Sequence, residues 1–331
     1  MIGSIIHIAL EGARLNALIC ASLELRLSGL LSSGSKTIEQ IAEQTESSLR
    51  GCQAIADGMV ALKLWKVDEQ GQYSNSPAAE KWLVPGKPEY VGDEHPDLFR
   101  DWLPRYAKIT ETVKSGEPVF DLNSKETLDF WAHLTPMLAA KGAPVAIQAI
   151  ESLGIDSGGA VSLLDVGGGG SAMYARQLLT RNPEATSTQV DWPHINAAAR
   201  CSLDQTGVAE RFFNRDGDFH DVPFGEEEFD VVVFSHIVHQ ESPESNAELV
   251  ARAARALKPG GRILIVDWVV DDGRTGPASS LLFMSTMLML SSSGKSYERR
   301  ELTQILTENG FAAPQFESAE DWATLCIAEK V

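Results

Sequence analysis

Apolar residues fall into two regimes along the chain, and the change between them divides it. In the first third, Ile5, Ile6, Ala9, Ala13, Ala17, Ile19, Leu23, Leu27 and Leu30 recur at helical spacing and predict one long helix. Its apolar residues lie on more than one side, so one side is expected to pack outside its own domain. Ser35-Lys-Thr37 offers an N-cap for a short helix opening at Ile38, and a second helix is predicted from about Leu49 to Leu64. Trp65–Val67, the turn Asp68-Glu-Gln-Gly71 and Gln72–Ser74 then read as a small hairpin. Pro85-Gly-Lys-Pro88 and Gly92–Pro96 form a linker. Beyond it, helices are predicted over about 97–115 and 124–153, the second interrupted near Pro136 and Gly142-Ala-Pro144.

From Asp156 onward, short apolar runs alternate with helical segments, the signature of a parallel sheet with helices on both faces. Val161–Leu164 and Thr188–Val190 read as the first two strands, and a third closes at Asp218. Phe229–Phe234 is an uninterrupted apolar run, a central strand buried on both faces. A helix over Glu248–Leu257, a tight turn at Lys258-Pro-Gly-Gly261 and a buried strand from Arg262 to Val266 follow. Leu281–Leu290, with Met284, Met287 and Met289, reads as a mobile apolar segment suited to lining a pocket. Tyr297–Asn309 is a helix stopped by Gly310, and Ala313–Glu317 with Ala323–Glu329 forms a closing hairpin. The expected divisions are residues 1–95, a helical connector over 96–155, and an α/β domain over 156–331.

Composition narrows the functional classes. Of 331 residues, 44% are hydrophobic and 22% charged, as in an ordinary globular protein. Helix–turn–helix plus hairpin is a winged-helix pattern, which often reads DNA. Here the candidate recognition helix offers chiefly Arg50 and Lys63 against Asp57, and the chain carries a net charge of −18. A nucleic-acid role and binding to anionic lipid are therefore not expected, and the module reads as a scaffold and dimer interface. Cys20, Cys52, Cys201 and Cys326 lie far apart without a CxxC pair, so no structural zinc site is expected and the reading is a reduced, cytoplasmic protein. Glu11, Arg14, Glu24 and Arg26 interrupt the apolar N-terminus, which argues against a signal peptide or membrane span.

The candidate chemistry lies at the strand ends. Asp165-Val-Gly-Gly-Gly-Gly170 joins a strand to a helix, a turn that brings a ligand close to bare backbone and a helix N-terminus. Alone it is compatible with nicotinamide dinucleotides, flavins, nucleotides or S-adenosylmethionine. Asp191, at the end of the next strand, is placed to bind two ribose hydroxyls. Asp218 and Phe219 are candidates for an adenine ring. The central strand delivers Ser235-His-Ile-Val-His239 to the carboxyl end of the sheet. In the connector, Trp131, His133 and Met137 concentrate aromatic and soft apolar surface, which is core or pocket.

Asp165-Val-Gly-Gly-Gly169, Asp191-Trp-Pro193, Gly217-Asp-Phe219, His239 and Leu257-Lys-Pro-Gly-Gly261, in this order, resemble the class I S-adenosylmethionine-dependent methyltransferases. More narrowly, the chain is similar to the small-molecule O-methyltransferases of plant caffeate and bacterial natural-product type. The resemblance implies a Rossmann-like sheet with an antiparallel closing hairpin, and a mainly helical winged-helix N-terminal domain forming a homodimer. It implies S-adenosyl-L-methionine held by Asp165, Gly167, Gly169, Asp191, Trp192, Asp218, Phe219 and Ser235, with no metal. It further implies His239 as general base, oriented by Asp267, acting on a hydroxyl of an aromatic or polyketide-like molecule. Trp131, His133, Met137, His236, Gln240, Met284, Met287 and Ser291 would then line the acceptor pocket. The chain departs from the pattern at Ser171, where a glycine is usual, and at Gln240, where an aspartate is usual. Ser296 stands where a second supporting acid is expected, and His236 replaces a common aromatic residue. These departures keep open C-methylation or a non-methylating cyclase, hydroxylase or decarboxylase. A nicotinamide dehydrogenase fits less well, because Asp165 precedes the glycines where dinucleotide folds lack an acid.

Overall fold

The computed structural model describes residues 2–87, 90, 92, 95–119, 142–320 and 322–331. It divides into two compact units, Met1–Tyr106 and Ala107–Val331.

The first unit is mainly helical. Helix α1 spans Ile2–Glu24 and α2 spans Leu27–Ser32. The single long helix expected here is broken because Arg26 adopts a left-handed conformation, φ 52°. Helix α3 (Ile38–Gln44) starts where the sequence signals it. Thr37 Oγ1 accepts the Gln40 amide and the Gln40 side chain accepts the Thr37 amide, a complete capping box. Ser48 caps α4 (Leu49–Ala61) by accepting from Gly51. Strands β1 (Trp65–Val67) and β2 (Tyr73–Asn75) pair antiparallel, and α5 (Pro77–Trp82) and α6 (His95–Tyr106) follow. Leu27, Ile41, Ala56, Met59 and Trp65 make the core, and the buried Trp65 indole donates to Ser28 Oγ at 3.2 Å.

The second unit opens with α7 (Ile109–Ser115) and a helical stretch, α8, over residues 142–152. One predicted helix over 97–115 is thus two. Of the helix predicted over 124–153, residues up to 141 lie outside the described residues, Trp131, His133 and Met137 with them. A seven-stranded sheet then forms from β3 (Ser162–Val166), β4 (Thr186–Asp191), β5 (Phe212–Asp216), β6 (Phe229–Ser235), β7 (Leu257–Asp267), β8 (Gln315–Ala319) and β9 (Ala323–Glu329), in the spatial order β5-β4-β3-β6-β7-β9-β8. The first five are parallel, and β9 pairs antiparallel with both β7 and β8. Helices α9 (Met173–Arg181), α10 (Pro193–Asp204), α11 (Pro243–Ala256), α12 (Ala278–Leu290) and α13 (Arg299–Glu308) connect them. The span of β7 begins at Leu257, which pairs with Phe229, but Lys258–Gly261 have no register partner and the continuous ladder runs from Arg262, as the expected turn and strand require.

The strand residues explain the layering. In β3 and β6, Leu163, Val231 and Val233 face one apolar cluster, and Leu164, Val166, Val232 and Phe234 face the other. Both faces are dry, so the period-two alternation of a half-wet sheet is absent. Strand order reverses between β3 and β6, which opens a crevice at their carboxyl ends, where α/β sheets bind ligands. Among the described residues, no helix is long and apolar enough to cross a membrane.

Candidate active site

A cleft open to solvent lies at that switch point. One wall is the turn after β3, with Gly167, Gly168, Gly169 and Ser171. The facing wall is the turn after β6, with Ser235, His236, Ile237 and Gln240; Asp191, Trp192, Gly217 and Phe219 close one end. Gly167 sits at φ 67°, and a Cβ there would come within 2.4 Å of Ile237 Cδ1. A larger residue there would be strained by the left-handed backbone and would have to displace the Ile237 side chain.

Asp191 ties this turn to β4. Its Oδ2 accepts the Gly169 amide at 2.9 Å and its Oδ1 the Trp192 amide at 2.8 Å. Burial raises its pKa to about 6 against the lowering effect of those two bonds. Asp165 is placed differently from Asp191: it lies fully buried behind the cradle, and Gly168 would meet its carboxylate at 2.6 Å if it carried a Cβ. Neither Asp165 oxygen has a hydrogen-bond partner among the described residues, and Gln189 Oε1 beside it has none either. Burial, with a smaller contribution from Asp191, raises the Asp165 pKa to about 8. Asp218, two residues past β5, points its Oδ1 at the His220 amide (2.9 Å) and the His220 ring (2.7 Å). Phe219 beside it lines the cleft. Ser235 lines it too, its hydroxyl donating to the Tyr174 hydroxyl at 3.2 Å.

Strand β6 ends at Ser235, and His236 after it takes the left-handed conformation, φ 60°, a strained state for a residue with a Cβ. The resulting turn returns His239 beneath the sheet end, and the Gln240 side chain closes it by donating to the His236 carbonyl at 2.7 Å. His239 is 5% exposed, and its Nδ1 lies 2.7 Å from Asp267 Oδ1. Asp267 also accepts the His239 amide through Oδ2 (3.1 Å) and the Trp268 amide through Oδ1 (2.7 Å). Burial opposes ionisation of Asp267, yet His239, that hydrogen bond, His236 and the Trp268 amide together hold its carboxyl below the usual range. A carboxylate can only accept, so Nδ1 carries hydrogen and Nε2 is the basic nitrogen of the neutral ring.

His236, His239 and Asp267 gather ligand-type atoms within 4.8 Å of one another. Because both Asp267 oxygens already accept N–H donors, the group is wired as an acid–histidine pair rather than a cation cage. Around it stand aromatic rings that the sequence did not single out. Trp268 and Phe283 stack at 3.8 Å, Phe283 meets His239 edge-on at 4.9 Å, and Trp322 stacks on His236 at 5.4 Å. Trp268 could have been found as the neighbour of Asp267. Phe283 and Trp322 come from α12 and the closing hairpin, and only the fold brings them here. On α12, Met287 is buried and Met284 half-buried. The Ser291 hydroxyl donates to the Gln240 carbonyl (3.1 Å) and accepts from Gly294 (2.8 Å), while buried Ser296 donates to the Ser280 carbonyl (2.8 Å).

The cleft fits S-adenosylmethionine: bare glycine backbone on one side, a carboxylate at the end of β4, and behind the cradle an orphaned buried carboxyl that a cationic ligand would balance. Fold and site together define a class I S-adenosylmethionine-dependent methyltransferase. Residues 116–312 match the family model of the O-methyltransferase domain and residues 9–85 that of the O-methyltransferase dimerisation domain; the chain belongs to the O-methyltransferase family. It is 28% identical over 335 residues to the tetracenomycin polyketide synthesis 8-O-methyl transferase of Streptomyces glaucescens, covering 99% of this chain and 96% of the relative. It is 27% identical to the 3-hydroxy-5-methyl-1-naphthoate 3-O-methyltransferase of Streptomyces sahachiroi, over 88% and 84% of the two chains. The fold resembles that of human N-acetylserotonin methyltransferase in complex with SAM, with TM-score 0.85, 20% identity, and coverage of 100% and 98%.

Proposed function

We propose that the protein methylates a hydroxyl of an aromatic or polyketide-like small molecule, with His239 as general base. The observation that carries this reading is the buried 2.7 Å contact between His239 Nδ1 and Asp267. When bound, S-adenosylmethionine supplies an electrophilic methyl on a sulfonium sulfur. His239 Nε2 takes the acceptor's hydroxyl proton as the oxygen becomes nucleophilic, and Asp267 holds the ring in the required tautomer and stabilises the imidazolium that forms. Gly167, Gly169, Asp191, Trp192, Phe219 and Ser235 bind the cofactor along the cleft. Asp165 balances its charge from behind, and Asp218 supports the adenine end. Trp268, Phe283, Trp322 and His236 exclude water around the base and offer flat surface to a planar acceptor, alongside Met284, Met287, Gln240 and Ser291. Trp131, His133 and Met137 belong to the same pocket in this reading. The named activities of the two Streptomyces relatives, both O-methylations in which a polyketide or a hydroxynaphthoate is named, support the acceptor class. The dimerisation region supports a homodimer formed through the first unit.

His239→Ala is expected to lower kcat by about 10²–10⁴-fold. S-adenosylhomocysteine affinity, measured by calorimetry, should stay within a few fold. Undiminished turnover in the variant contradicts the base assignment. Consumption of an acceptor without S-adenosylhomocysteine release would instead favour a non-methylating reaction, a reading motivated by Ser296, which supplies no second acid.

A further inference from the structure

The loop after β5 and the turn after β6 meet through one side chain. His220 directly follows Phe219, and the two rings lie 4.4 Å apart at 35°. His220 Nδ1 is 2.7 Å from Asp218 Oδ1, and Nε2 is 3.1 Å from Glu241 Oε2. Glu241 stands two residues past His239. Its side chain is 7% exposed, and the same Oε2 accepts the Ser245 hydroxyl at 2.5 Å. Tyr297 holds the Glu241 backbone carbonyl at 2.7 Å.

Ionised carboxylates only accept hydrogen bonds, so a ring nitrogen facing one must carry hydrogen. Both His220 nitrogens face carboxylates, and the ring is therefore an imidazolium. A neutral ring would lose one of the two bonds and leave Glu241, nearly buried, without its cation. We propose that His220, as an imidazolium held between Asp218 and Glu241, is the positioning residue that locks the Phe219 end of the cofactor cleft to the turn carrying His239. The inference rests on the assignment of Phe219 and Asp218 to the adenine end of the cleft.

The surrounding charges allow this state. Hydrogen bonding to Glu241, opposed by partial burial and reinforced by Asp218, raises the His220 pKa to about 9. Arg252 of α11 packs beside it: its guanidinium donates to the carbonyls of His220 (2.7 Å) and Val222 (2.5 Å) and lies over Phe224 at 4.0 Å. Asp218, Asp221 and Glu248 offset Arg252, with Arg255 the further cation. Since the folded pKa is raised, the bridge is complete well below pH 9 and is lost as pH rises through that value.

The test is calorimetric titration with S-adenosylhomocysteine between about pH 7 and pH 10, on the full chain and its His220→Gln and His220→Arg variants. Folding of each is checked by thermal melting. The Kd of H220Q relative to wild type, a ratio in which the ionisation of Asp165 near pH 8 is common to both, should be about tenfold near neutrality, the equivalent of one lost charge-assisted hydrogen bond, and fall toward one by pH 10. H220Q should therefore show a smaller alkaline loss than the wild type, and its weakening at pH 7.5 should fall on the cofactor KM rather than on kcat. H220R, which keeps a cation able to reach two carboxylates, should recover most of the affinity. Imidazole NMR should show His220 titrating near pH 9. Wild-type affinity in H220Q, an unchanged alkaline loss in that variant, or a His220 midpoint below 7 would each overturn the proposal. Failure of the wild type to bind S-adenosylhomocysteine would overturn the cleft assignment instead.

Discussion

Three aspartates at the carboxyl ends of the parallel strands β3, β4 and β7 have different fates, set by what surrounds each carboxyl. Asp267 receives three N–H donors and stays ionised; Asp191 receives two and lines the cleft; Asp165 receives none and is driven toward its neutral form. The last has a consequence for stability. The Asp165 pKa, about 8 in the fold, stands well above the ordinary aspartate value of 3.8, so the native state binds an extra proton between those values. The stabilisation is complete below about pH 4 and is lost as pH rises through 8, so the acid weakens the empty protein in alkaline solution. Asp165→Asn cannot ionise. In thermal melts without ligand, its Tm relative to wild type should climb steadily from about pH 5 to pH 8.5, and parallel pH profiles for the two proteins would contradict this. That Asp165 and Asp191 serve one site could be read from their places at successive strand ends. Which of them stays charged could not, because donors such as the Gly169 amide belong to the backbone path rather than to the sequence pattern. His220 was missed for a similar reason: its partner Glu241 lies 21 residues away and meets it only across the sheet end.

Among the elements, the turn after β3 concentrates the constraints. Its length, start and glycine content followed from the apolar run of β3 and the residues behind it, since a strand–glycine–helix unit has a strong local signature. Gly167 is the position with least latitude: Ala there must adopt a left-handed backbone and displace Ile237, itself in the turn that leads to His239. Gly167→Ala is expected to cost about 1–2 kcal/mol in unfolding free energy by denaturant titration, from the conformational strain alone. It should also weaken S-adenosylhomocysteine binding, because the methyl group stands at the cleft wall; binding and stability both at wild-type level would count against the account. Elements held by long-range contacts were harder to read. The helical period gave no sign of the break at Arg26, where no glycine or proline marks it. The turn signal Lys258-Pro-Gly-Gly261, by contrast, survives inside the span of β7 as an irregularity: these residues have no register partner in β6 or β9, and Gly260 sits at φ 72°.

For the whole molecule, the acidic balance, the dimerisation region and the two-unit division point the same way: a net charge of −18 disfavours nonspecific adhesion, so association needs a dedicated surface. Sedimentation equilibrium at micromolar protein is expected to give twice the chain mass, and to keep doing so when salt is raised, because an apolar interface is little screened. A single chain mass across that range would contradict the homodimer. The sheet order carries one more consequence, for synthesis. Gln315–Ala319 leaves the ribosome before Ala323–Glu329, yet among the described residues its partner in the sheet is that later segment alone, which also pairs with Arg262–Asp267. Until Ala323–Glu329 is in place, the nascent chain therefore presents unpaired backbone along Arg262–Asp267, and the arrival of that segment is what closes the edge.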